Sequence, residues 1–358
     1  MTTLFDPIKV GRLICPNRIW MAPLTRGRAT RDHVPTDLMA TYYAQRASAG
    51  LMLSEATHIS LEGSGWPYAG GLWGAERVKN WRKVTDAVHL ASGRIFAQLW
   101  HMGRIVHPSL HGVHPVSSSA TTAPGKAHTY DGRQPYVEAR PLALEEIPRL
   151  ISDYVAAARN AIDAGFDGVQ LHAANGYLID QFLRDGSNKR TDTYGGPIEN
   201  RLRLLREVVQ ALIDAVGNDR TAVRLSPNGD SQGVDDSNQN ELFPAAATEL
   251  SRMGVAFLEL REPGPDGTFG KSDRPPVAPL IRKAFSGVLV LNSDYDFERG
   301  QAAVSSGAAD AITYGRKFLA NPDLPYRFAN NLALNPDDAK TWYSQGPEGY
   351  INYPAAHG

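Results

Sequence analysis

Eight short apolar runs alternate with eight helical patterns, and polar residues follow almost every run. Such alternation predicts an α/β chain whose parallel sheet closes on itself as a (β/α)8 TIM barrel. A long connection after the third run, rich in Ser, Thr, Pro and Gly, adds an excursion to that plan. At 358 residues the chain exceeds a typical domain, but α/β barrels routinely do so as one unit, and residues 1–358 are expected to form a single domain.

Residues 4–13 alternate with turn residues and read as a small N-terminal β-hairpin cap. The strand candidates are residues 18–22, 51–55, 94–99, 168–171, 222–225, 257–260, 288–291 and 311–314. Helical patterns occupy residues 36–49, 75–92, 147–164, 199–216, 240–253, 277–285, 296–306 and 318–321. The connection 100–144 is too long for a plain loop between strand and helix. Tyr130, Tyr136 and Val137 give it surface to bury, so it is expected to fold over the barrel mouth with a hairpin of its own. The tail TWYSQGPEGYINYP carries three tyrosines and a tryptophan, which predicts packing.

Composition narrows the function. A hydrophobic share of 42% supports a large core, and a net charge of −1 with a pI near 6.8 gives no basic field for nucleic acid. The single cysteine, Cys15, excludes an internal disulfide and a cysteine-bound iron–sulfur cluster. No apolar run is long enough to span a bilayer, and MTTLFDPIKVGRLICPNR lacks a signal-peptide h-region, so a cytoplasmic protein without a membrane partner is expected. Composition leaves both monomer and homo-oligomer open.

Barrel chemistry gathers where strands end. The fourth run ends in His172-Ala173-Ala174-Asn175-Gly176-Tyr177. His172 and Asn175 are three apart, so one helical turn would put both on one face. Each can donate a hydrogen bond to one acceptor, and Tyr177 brings a phenolic proton beside them. Such a set suits polarising a carbonyl or nitro group and then protonating it. Any one of the three alone reads as satisfied core; the three together at one strand end read as catalytic. The other strand ends supply Pro23-Leu24-Thr25, Ala56-Thr57, Gln98 to His101, Arg224, Arg261-Glu262, Asn292-Ser293-Asp294 and Gly315-Arg316. Barrels often bind phosphate with the loops after strands seven and eight, here those at Ser293-Asp294 and Gly315-Arg316. Trp66, Tyr68, Trp100 and Tyr343 are aromatic candidates for a substrate wall.

Other motifs fail on inspection. GTFGKS at 267–272 has Pro265 where a P-loop needs glycine. His101, His107, His111 and His114 have no helical spacing and no interleaved carboxylate, so no metal is expected. No G-x-G-x-x-G is present. A nicotinamide would then share the one mouth with the substrate, which predicts alternating occupancy, ping-pong kinetics and a bound redox carrier in between.

HAANGYLIDQFL followed by SNKRTDTYGGPIENR resembles the old yellow enzyme family of flavin-dependent alkene reductases, in its N-ethylmaleimide reductase-like branch. Further matches run in order from Asn17 to Pro354. The resemblance implies a barrel that binds FMN non-covalently and reduces activated C=C bonds with NAD(P)H. It implies that Thr25 in APLTRGR bonds the flavin O4, where a sister branch has cysteine. By the same resemblance Gln98 in QLWH meets the pyrimidine edge, Arg224 in VRLSP lies near N1 and the C2 carbonyl, and Pro23 and Ala56 contribute backbone contacts. Backbone N–H groups at Ser293-Asp294 and the Gly315-Arg316 arginine would take the phosphate, although Ser293 and Asp294 stand where glycine is frequent. Trp66, Trp100 and Tyr343 would line the acceptor side, with His172 and Asn175 holding the acceptor's oxygen and Tyr177 protonating its α-carbon. The expected reaction passes hydride from nicotinamide to flavin N5 and on to the β-carbon of an enone, maleimide or nitroalkene. Two rivals stay open on sequence. One is a phosphate-binding lyase or isomerase without flavin, for which Glu259 and Glu262 could act as acid–base groups. The other is a barrel that binds flavin without turnover.

Overall fold

The computed structural model of the chain describes residues 1–268 and 270–356. Eight parallel strands close a barrel: β1 Ile19–Met21, β2 Met52–His58, β3 Ile95–Trp100, β4 Gly168–His172, β5 Thr221–Leu225, β6 Leu258–Arg261, β7 Leu289–Asn292 and β8 Ala311–Tyr314. The helices between them are α1 Asp37–Gln45, α2 Ala75–Leu90, α3 Ile147–Asp163, α4 Arg203–Val216, α5 Gln239–Met253, α6 Ala278–Ala284, α7 Phe297–Ser305 and α8 Arg316–Ala320. The expected (β/α)8 fold is present.

Boundaries differ where a local interaction overrides the pattern. β2 runs past Glu55 because a bulge between Leu53 and Ala56 absorbs the extra residues and lets Ala56 pair with Gln98. α1 stops early because Arg46 leaves the helix and donates to the carbonyls of Phe318 and Leu319. A second helix, Leu324–Ala329, follows α8, and another, Leu178–Leu183, follows Tyr177; the periodicity had singled out neither.

The strands place alternate residues inside and outside the barrel. Outward residues such as Ile95, Ala97, Leu99, Val169, Leu171, Leu258 and Leu260 join the main core beneath the helices. α3 meets that core with Leu150, Tyr154, Ala157, Ala158 and Ala161, the spacing of one helical face. Inward residues form layers. The lowest is apolar: Trp20, Leu53, Phe96, Ala222, Phe257, Val290 and Ala311. A side chain at Gly168 would meet the Phe96 ring at 2.4 Å, which is why this floor position of β4 is glycine. The hairpin Ile8–Val10 with Leu13–Cys15 closes the barrel from below, with Val10 and Cys15 buried in that layer. It forms slightly later in the chain than the pattern suggested. Burial pushes the Cys15 thiol up to about 12, so it stays a packed thiol.

The excursion after β3 folds over the mouth. Its hairpin, Lys126–Thr129 with Gly132–Pro135, brings His128 to 4.4 Å from the Trp66 ring. The tail packs as well. Arg26 and Arg28 donate to the carbonyls of Thr341, Trp342, Gly346, Glu348 and Gly349, and Arg46 donates to that of Tyr350. Among the described residues no helix is long and apolar enough to cross a membrane.

Candidate active site

A cavity of about 460 Å³ opens at the C-terminal ends of the strands. Pro23 and Thr25 line it after β1, Ala56 from β2, Gln98 and Trp100 from β3, and Arg224 from β5. Ser293 and Asp294 join after β7, Gly315 and Arg316 after β8, and His172, Asn175 and Tyr177 from β4 and the loop beyond it. Trp66 and Tyr343 form part of the same wall, with their rings 5.1 Å apart. Tyr68 is not among the lining residues; its ring packs edge-on against Tyr130 at 5.1 Å.

The His172–Tyr177 segment is shaped by a left-handed turn rather than the helical turn its spacing suggested. Asn175 and Gly176 take φ of 58° and 77°. A Cβ on Gly176 would lie 2.3 Å from the Ser231 carbonyl oxygen, so only glycine fits there. The turn folds the Tyr177 ring edge-on against His172 at 4.9 Å and against Trp100 at 4.9 Å. Trp100 stacks in turn on His58, 4.7 Å away and nearly parallel. The helix behind Tyr177 anchors the turn: Asp180 accepts from Gly176 N–H at 2.9 Å and pairs with Arg184 at 2.8 Å. Burial, then the nearby Arg224 and Arg261 cations, hold His172 well below the usual imidazole range, so it is neutral. Burial holds the Tyr177 phenol above its ordinary range, so it keeps its proton.

Beneath the cavity lies a buried polar layer, one step above the apolar floor. Gln98 donates to Gln170 at 2.8 Å, and Gln170 donates to Glu259 at 2.7 Å. Glu259 also accepts from Thr313 at 2.7 Å and from Arg224 at 3.2 Å. Arg224 donates further to Asn292 at 2.8 Å, and its buried Nε has no hydrogen-bond partner among the described residues. The sequence marks neither Gln170 nor Thr313 as a site residue, and offers Glu259 only as an acid–base group for the lyase rival. Their signal was a polar side chain two positions before or level with a strand's last inward residue, a place where an apolar layer would need none. Arg261 and Trp342 also line the cavity, and neither had been assigned a role.

At the other end of the cavity Asp294 turns toward Arg316 at 3.5 Å, and Thr268 bridges the two. Ser293 and Asp294 adopt φ of 110° and 49°, in the region that favours glycine. The two glutamates of the lyase rival are both engaged. Glu259 is saturated by Arg224, Gln170 and Thr313. Glu262, raised to about 7 by burial, accepts from Val277 and Ala278 N–H at the start of α6. Neither is an acid–base group facing a substrate. Of the four histidines, His101, His107 and His111 bond to Gly103, Ser109 and Ser64, and among the described residues no three His, Cys, Asp or Glu side chains gather as a metal site.

A family model described as the NADH:flavin oxidoreductase / NADH oxidase family matches residues 3–335. The chain superposes on an old yellow enzyme homologue from Zymomonas mobilis with a TM-score of 0.98 at 60% identity, covering 99% of each chain. It superposes on morphinone reductase in complex with tetrahydroNAD with a TM-score of 0.93 at 42% identity, covering 99% of this chain and 98% of that one. A Leishmania infantum protein described as a "probable flavin mononucleotide-dependent alkene reductase" is 43% identical over 358 residues, 98% of this chain and 97% of that one. The chain belongs to the NADH:flavin oxidoreductase / NADH oxidase family, in its old yellow enzyme group, as an FMN-dependent, NAD(P)H-consuming oxidoreductase of the alkene-reductase kind.

Proposed function

We propose that residues 1–358 work as one FMN-binding barrel that reduces electron-poor alkenes such as enones, maleimides and nitroalkenes. The observation that carries this reading is one cavity that holds a cation-backed polar base, an arginine at one rim and His172, Asn175 and Tyr177 in one wall. The residues present fit FMN. Gln98 and Thr25 offer polar edges for a pyrimidine ring, and Arg224 offers a buried Nε–H that no group among the described residues takes. A cation there favours negative charge at the ring edge. Arg316 and the Ser293-Asp294 and Gly315 backbone would hold the phosphate. When bound, the flavin relays a hydride from NAD(P)H to the electron-poor carbon of the alkene.

The chain's own residues do the rest. Trp66, Trp100 and Tyr343 wall the acceptor and exclude water. Neutral His172 and Asn175 donate to the acceptor's oxygen, where negative charge builds as the alkene is reduced. Tyr177, protonated across the neutral range, delivers a proton to the α-carbon. Coenzyme and acceptor use the same mouth in turn.

An anaerobic titration with NADPH and then cyclohexenone tests the reading by flavin absorbance. Bleaching by the first and full recovery with the second are expected. A flavin that never bleaches, or never recovers its colour, would overturn it.

A further inference from the structure

Arg261 ends β6 and lines the cavity, yet the chemistry above does not use it. Its Nη1 donates to Asn175 Oδ1 at 3.3 Å. A guanidinium carries only donors, so the oxygen end of the Asn175 carboxamide has to face it. The rest of Asn175 is held too. Its backbone N–H donates to Ser226 Oγ at 2.7 Å, and its carbonyl accepts from Gln232 Nε2 at 2.7 Å. With backbone and Oδ1 engaged, Nδ2 is the polar atom of Asn175 that no described residue bonds, and it is a pure donor. Turned by half a rotation, the same amide would oppose an acceptor oxygen with its own oxygen, lone pair against lone pair. The two orientations have almost the same shape, so packing alone does not choose between them. Burial, then the Arg224 cation, brings the Arg261 guanidinium down to about 10, which leaves it charged near neutral pH.

We propose that Arg261 is a positioning residue: it fixes the Asn175 carboxamide so that it donates to the acceptor's oxygen. The proposal rests on the reading of Asn175 as a donor to that oxygen.

The test uses the FMN-loaded enzyme and 4-chlorophenol, whose oxygen stands in for the negatively charged acceptor oxygen, with binding read from the perturbed flavin spectrum. Arg261→Met should raise the dissociation constant roughly tenfold. Arg261→Lys, which keeps a pure donor, should recover most of that loss. Arg261→Gln, whose amide can pair with either end of Asn175, should resemble Arg261→Met, and it replaces that variant if the latter loses flavin. In an Asn175→Ala background the Arg261 substitutions should change phenol binding no further, because the orienting contact is already gone. Wild-type phenol binding in Arg261→Met or Arg261→Gln overturns the proposal. The same loss with and without Asn175 also overturns it, since Arg261 would then act directly. If Asn175→Ala alone binds the phenol like wild type, the donor reading of Asn175 falls and takes the proposal with it.

Discussion

The Arg316 guanidinium lies 3.5 Å from the Asp294 carboxylate, and the Thr268 hydroxyl stands between them, accepting from Arg316 at 2.6 Å and donating to Asp294. Both charged side chains are about one-third exposed, so the pair itself adds little stability. Its meaning lies in what it would do to an incoming phosphate, which has to share Arg316 with a resident anion.

Asp294→Asn should therefore tighten FMN binding by about fivefold, the effect of removing roughly 1 kcal/mol of like-charge repulsion near a surface. Riboflavin, without a phosphate, should bind both proteins alike. Arg316→Ala should weaken FMN by roughly 1.5–3 kcal/mol, the worth of a charge-assisted bond. Fluorescence titration of the apoprotein reads all three; unchanged FMN affinity in Arg316→Ala would move the phosphate elsewhere.

His172→Ala should weaken phenol binding and slow enone reduction by about 10²–10³, the usual effect of losing one donor to a developing oxyanion. Because His172 is neutral in the folded protein, it should impose no pH dependence on phenol binding across about pH 6 to 9. An inflection near the ordinary histidine value, absent in His172→Ala, would contradict that.

Tyr177→Phe should spare flavin reduction by NAD(P)H and slow reoxidation by cyclohexenone by about 10²–10⁴. Nitroalkenes should suffer less, since a nitronate can leave and be protonated in water. Stopped-flow absorbance on each half-reaction separates the steps. A variant slowed only in the NAD(P)H half has lost something other than a proton donor.

Glu55 is fully buried beside Arg26 and Arg28, and desolvation raises its carboxyl from the ordinary 4.5 to about 7. The folded state thus holds this proton more tightly than the unfolded chain. The stability it contributes is complete below about 4.5 and is lost as pH rises through about 7. Glu55→Gln should melt a few degrees above wild type at pH 8, and the gap should close by pH 5. A gap independent of pH would mean that Glu55 does not titrate with folding.

The barrel was legible because each strand sends alternate residues to a helix-covered face, and runs such as Val169 and Leu171 around Gln170 announce it. The cavity-lining residues were legible because they follow those runs. The polar layer was harder to read: Gln170 looked like a separator and Glu259 like a candidate acid until the register set Gln170 level with Gln98, and Glu259 level with Arg224. The direction of the Asp294 side chain was not legible, because it depends on Thr268, far away in sequence. The helix at Leu178–Leu183 carries no periodic signal because all six of its residues are buried, Asp180 and Gln181 included, so it has no solvent-facing side.

The grip on the tail has an evolutionary consequence. Arg26, Arg28 and Arg46 hold its path largely through main-chain oxygens, which every residue type possesses, while Ser344, Gly349 and the buried Tyr350 are fixed by what their own side-chain positions meet. Trp342 and Tyr343, carried by that path, face the cavity. Substitutions at Trp342 and Tyr343 can therefore reshape the cavity wall while the main-chain bonds of the strap that presents them stay in place. Those two positions act as a replaceable facing on a fixed frame, where the shape of the cavity can drift while the path of the chain does not.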